Sequence, residues 1–135
     1  MNKSVDDILQ RFREIDGFQA VGVYAPSGKM LSSLNLSEKY MLDKVGLLTN
    51  AVLLNTQKAA TEMHVGKGKR TIITTNEATI ITQSFNESSH LLKSAEGNGQ
   101  FNIIAIFKLD VQLGVTKMKM DKIIYDIAPL IPNKL

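Results

Sequence analysis

The sequence predicts an α+β domain, a mostly antiparallel sheet of five strands with the element order helix, two strands, helix, three strands, helix. Three observations carry this. Apolar residues recur at helical spacing near the beginning, middle and end of the chain. Short runs rich in β-branched and aromatic residues lie between those stretches, and glycine, proline and asparagine mark the junctions. A chain of 135 residues suits a single domain, 1–135, able to bury most of its unfolded surface without a disulfide or metal staple.

Taken in order, Ser4 followed by Asp7 is a capping-box-like start, and Val5, Ile8, Leu9, Phe12 and Ile15 then recur at helical spacing, predicting a helix from Ser4 to Ile15. Asp16-Gly17 ends it. Phe18 to Ala25 reads as a strand that stops at the turn Pro26-Ser27-Gly28, and Lys29 to Leu34 returns as its hairpin partner. Ser37 and Glu38 open a proline-free segment reaching His64, the expected central helix, with Gly66 and Gly68 beyond its end. Strands are expected at Arg70 to Thr75, Thr79 to Phe85 and Phe101 to Leu109. The polar connection 86–100, with three serines and two glycines, is long for a hairpin and is marked by its length as functional or mobile. Val115, Met118, Ile123, Ile124 and Ile127 predict a last helix over Gln112 to Ile127, closed by Pro129 and Pro132, with 129–135 as a short tail.

Composition excludes several function classes. With no cysteine, disulfides and thiolate sites are absent, and a cytoplasmic location is expected. The N-terminus lacks the apolar core of a signal peptide, and the most apolar stretch, Val45 to Leu54, is about half the length that spans a bilayer, so no integral membrane association is expected. A net charge of +3, from 16 basic and 13 acidic residues spread along the chain, is mild, and the few aromatic residues do not alternate with lysines, so nucleic acid is not an expected partner.

No catalytic constellation emerges. Gly66-Lys67-Gly68-Lys69-Arg70-Thr71 fails the phosphate-loop pattern: Met63 stands where the first glycine belongs, and Arg70 follows Lys69. The segment also leaves a helix and enters a strand, the reverse of a phosphate loop. Lys67, Lys69 and Arg70 are read instead as a helix end and solvated basic turn, with a basic contact to an acidic partner or lipid surface as the alternative. His64 and His90 have no carboxylate at zinc-site spacing, and Asp6-Asp7 suits the first turn of a helix. No enzyme activity, metal or cofactor is expected.

The words Asp16-Gly17-Phe18-Gln19-Ala20-Val21-Gly22-Val23 and Ser27-Gly28-Lys29-Met30-Leu31 resemble the roadblock dynein-light-chain family. So do the helix end Met63-His64-Val65-Gly66-Lys67-Gly68 and the late segment Ile103-Ile104-Ala105-Ile106-Phe107 leading into Leu113-Gly114-Val115. The resemblance covers nearly the whole chain and lies in the order of these words rather than in any one of them. It implies a profilin-like roadblock fold, with helices on both faces of a five-stranded sheet, and a dimer with itself or a similar subunit. It also implies a regulatory or scaffold role in signalling, with a small Ras-like GTPase as partner. A small-molecule or lipid sensor, with a pocket between helix and sheet, is the alternative.

The dimer has support in the residues themselves. Met41, Val45, Leu48, Val52, Ala59 and Met63 form one apolar stripe on the central helix, read as the side that covers the sheet; Leu47, Ala51 and Leu54 lie roughly opposite. A helix apolar on both sides needs cover on both, and a second copy could supply it. The strand Arg70 to Thr75, with Thr71, Ile72, Ile73 and Thr74, has no proline and no charge after Arg70, so as a sheet edge it lacks protection and could pair with its symmetry mate.

Overall fold

The computed structural model describes residues 4–66, 68–85 and 101–131. Ser4 caps the first helix, α1 (Val5–Leu9): its hydroxyl accepts from the Asp7 amide at 3.1 Å while the Asp7 carboxylate accepts from the Ser4 amide at 3.3 Å. The expected helix then tightens into a 3-10 turn over Gln10–Glu14. With three residues per turn, that change lines up Leu9, Phe12 and Ile15 on one side, and all three are buried.

β1 (Phe18–Tyr24) and β2 (Met30–Asn35) form the expected hairpin, with Gly28 at φ 94° accepting the conformation the turn requires. The sheet is completed by β3 (Arg70–Thr74), β4 (Thr79–Phe85) and β5 (Phe101–Phe107). Its order is β2-β1-β5-β4-β3 and all four pairings are antiparallel, so β2 and β3 are the two edges and the helix between them crosses the whole sheet. Thr75 closes the β3–β4 turn: its hydroxyl accepts from the amides of Glu77 and Ala78 at 3.1 and 3.0 Å.

Alternation divides the sheet into two unlike faces. On one, Val21, Val23, Ile81, Ile103 and Phe107 meet Leu9 and Phe12 from the α1 segment and Met120, Ile123 and Ile127 from α3 (Leu113–Ile127). This is the main core. The other face carries a thinner apolar set, Ala20, Leu42, Ala78 and Ile106, together with the buried polar residues Thr82, Ser84 and Asn102, and is covered by α2 (Gly46–Glu62).

α2 starts nine residues later than the sequence suggests, at Gly46 instead of Ser37. Short polar side chains take over the backbone in between. The Asn35 carboxamide accepts from the Ser37 amide at 3.0 Å and donates to the Tyr40 carbonyl at 3.0 Å, and the Ser37 hydroxyl accepts from the Lys39 amide at 3.1 Å. A 3-10 turn, Leu42–Lys44, follows. The long connection 86–100 and residues 132–135 of the tail lie outside the described residues; Pro129 falls in a 3-10 turn, Ala128–Leu130, after α3. Among the described residues no helix is long and apolar enough to cross a membrane.

α2 ends with the Val65 amide donating to the Ala60 carbonyl at 3.1 Å and the His64 amide to Thr61 at 3.0 Å. His64 therefore takes φ 58°, the left-handed conformation that this kind of helix end requires and glycine adopts most readily. His64→Gly should raise stability by about 0.5–1 kcal/mol, the relief of strain outweighing the added freedom of the unfolded chain, read as a higher urea midpoint.

Candidate interaction surface on the central helix and edge strand

The buried side of α2 is formed by Thr49, Leu53 and Ala60, with Val52 and Thr56 half-buried beside them; Leu53 is 2% exposed. This corrects the expected stripe. Val45 and Val52 are partly covered, but Met41, Leu48, Ala59 and Met63 are exposed, Leu48 at 67%. The threonines explain the difference. Thr56 Oγ1 donates back to the Val52 carbonyl at 2.9 Å and lies 3.1 Å from Thr71 Oγ1 on β3, so a residue that apolar counting skips is satisfied against the sheet. The approach is close there: a Cβ at Gly68 would sit 2.7 Å from Thr56 Cγ2.

Ala51 and Leu54 point outward, Leu54 being 48% exposed, and the Leu47 side chain lies outside the described residues. β3 stands at the sheet edge and pairs with β4 alone. Of its four residues named from the sequence, Ile73 and Thr74 are exposed and Thr71 is tied to Thr56. Ile72 is the exception. Its register against Ile81 turns its side chain to the α1/α3 face, where it packs on the main core, so only its backbone belongs to the outer edge.

Nor is Arg70 available to a partner in the way the basic turn suggested. Its guanidinium donates to Gln83 Oε1 at 2.9 Å and to Asp121 Oδ1 of α3 at 2.6 Å, fastening the edge strand to the helix on the other face. Lys69 is exposed, and Lys67 lies outside the described residues.

Between the first half of α2 and the sheet lies an apolar cleft of about 340 Å³. Val45, Leu48 and Val52 line it from the helix, Ile73, Ile80, Ile104 and Ile106 from the sheet, and Lys39 and Tyr40 from the segment before the helix. That segment is anchored by Tyr24, whose buried hydroxyl donates to the Leu42 carbonyl at 2.6 Å, and by Tyr40, whose hydroxyl donates to Gln19. Burial, helped by the nearby Asp43 carboxylate, pushes the Tyr24 hydroxyl up to about 12. Among the described residues no group of three His, Asp or Glu side chains gathers where a metal could be held.

Comparison with solved structures gives this arrangement a name. MglB of Myxococcus xanthus superposes with a TM-score of 0.76 at 10% identity, over 93% of this chain and 93% of that one. A roadblock/LC7 domain from Streptomyces avermitilis superposes with a TM-score of 0.72 at 9% identity, over 94% of this chain and 97% of the other. The chain has the roadblock fold. The gliding protein MglB of Thermus thermophilus superposes in the same way, with a TM-score of 0.71 at 12% identity over 96% of this chain and 93% of that one. No family model and no curated sequence matches the chain.

The roadblock frame puts the predicted residues Ala51, Leu54, Ile73 and Thr74 on exposed parts of one helix and one edge strand; a pocket between helix and sheet was among the expectations, but the residues that line the cleft there were not named from the sequence. Tyr24 locks the lead-in to this helix in its neutral form. Its folded-state value lies above its ordinary one, so its contribution is complete below about pH 10 and is lost as the pH rises toward 12. Stability should therefore fall across that alkaline interval in denaturant titrations, and Tyr24→Phe should flatten the fall while costing about 1 kcal/mol at neutral pH through the lost hydrogen bond.

Proposed function

We propose that the chain is a non-enzymatic regulatory or scaffold subunit that forms a homodimer and binds a small Ras-like GTPase. The observation that carries the dimer is an exposed apolar face on α2, including Leu48, Ala51 and Leu54, beside an edge strand whose outer backbone pairs with nothing among the described residues. Two copies related by a two-fold axis could pair their β3 strands and pack their α2 helices, covering both liabilities at once. The GTPase reading rests on the resemblance of the sequence words together with the roadblock fold. Any effect on nucleotide turnover would arise by favouring one state of the partner's own switch loops. A cytoplasmic location accords with this reading.

The apolar cleft favours a second reading, a small-molecule or lipid sensor, in which an apolar ligand would raise the melting temperature in proportion to the logarithm of its concentration.

Sedimentation should show a wild-type dimer at micromolar concentration. Leu54→Asp, half-exposed in the single chain and so tolerable to its fold, should sediment as a folded monomer. A wild-type monomer would refute the dimer. For the partner, small GTPases from the same organism, each loaded with GDP or a GTP analogue, should bind with affinities that differ between the two nucleotide forms; equal affinities would leave only scaffolding.

A further inference from the structure

α3 is covered by the core on one side only. Thr116, Met120, Ile123, Ile124 and Ile127 are buried, and the opposite side runs through Val115, Met118, Lys122 and Tyr125. These four follow the i, i+3, i+7, i+10 spacing of a seam between paired helices. The three apolar members are exposed, Val115 by 43%, Met118 by 53% and Tyr125 by 79%.

The charges along this ridge are sorted by their partners. Its two carboxylates are both engaged, Asp121 by Arg70 from β3 on one flank and Asp126 by Arg11 from the α1 segment on the other. Lys117, Lys119 and Lys122 make no ion pair among the described residues, so the helix offers positive charge beside exposed apolar side chains. A notch of about 360 Å³ opens beside Tyr125, lined also by Arg11, Asp121, Lys122 and Asp126.

From this we infer that the α3 ridge docks an acidic amphipathic helix of a partner protein, its apolar row packing along Val115, Met118 and Tyr125 and its carboxylates meeting Lys119 and Lys122. The ridge from Val115 to Tyr125 is about 15 Å long, three helical turns, which sets the length of the docked segment. A bilayer fits less well, because the apolar row is one side chain wide, carries no Leu, Phe or Trp, and is flanked by two carboxylates. A second copy of α3 would set lysine against lysine. The surface lies on the opposite side of the sheet from α2 and does not depend on the dimer.

The test uses the full chain and a fluorescent synthetic peptide of about 14 residues, with leucines at the a and d positions of a heptad and glutamates beside them. Anisotropy should show saturable binding that weakens with salt, and Lys122→Glu or Met118→Asp should each weaken it about tenfold without altering the melting temperature. A peptide with glutamine in place of glutamate should bind about tenfold more weakly. Three results would overturn the inference: no saturable binding, binding indifferent to both substitutions, or wild-type chain that sediments with phosphatidylserine vesicles in a Lys122-dependent manner while ignoring the peptide. Concentration-dependent self-association abolished by Met118→Asp would likewise overturn it in favour of a second copy.

Discussion

The central strand β5 is buried at every one of its seven positions, and the remainder of the molecule is arranged to cover it. A strand in the middle of a sheet and apolar on both sides cannot face water on either, so helices must lie on each face. The two covers are not equivalent. Phe101, Ile103, Ala105 and Phe107 turn to the α1/α3 side, where large side chains from both helices fill the space. Asn102, Ile104 and Ile106 turn to α2 across a surface that also presents Ala20, Gly22, Thr82 and Ser84.

That asymmetry shapes the surface. Small and hydroxyl-bearing side chains let α2 approach through Thr49, Leu53, Thr56 and Ala60, and few large apolar groups are needed between helix and sheet. The apolar residues of α2 are consequently distributed among its outer face and the rim of a cleft. On the opposite cover, α3 commits its large residues inward and holds its carboxylates with arginines from neighbouring elements, Arg11 and Arg70. Exposed apolar side chains thus stand on both sides of the sheet, Leu48 and Leu54 on α2 and Val115, Met118 and Tyr125 on α3.

Two ties keep the surfaces in place. Tyr24 joins β1 to the lead-in of α2 through the Leu42 carbonyl, and Gly22 makes room for it: a Cβ there would lie 2.6 Å from the Tyr24 hydroxyl oxygen. Arg70 joins the edge strand to α3, so the strand is held to the helix behind it.

The sequence by itself determined the features whose physics is local. The Ser4–Asp7 cap, the hairpin at Pro26-Ser27-Gly28, the limits of β4 and the order of all eight principal elements were legible, because each depends on side chains within a few residues of the backbone they control. The roadblock resemblance was legible in the order of short words. Tertiary structure alone decided which face Ile72 occupies, since neighbouring isoleucines are equivalent until pairing with Ile81 sets the register. It alone gave Arg70 its partner Asp121, 51 residues away. It decided as well that threonines rather than Met41, Leu48 and Met63 would meet the sheet, because a hydroxyl can be buried once a particular carbonyl or a second hydroxyl stands opposite it. Propensity and capping act along the chain; burial and ion pairing act between segments that only the fold brings together.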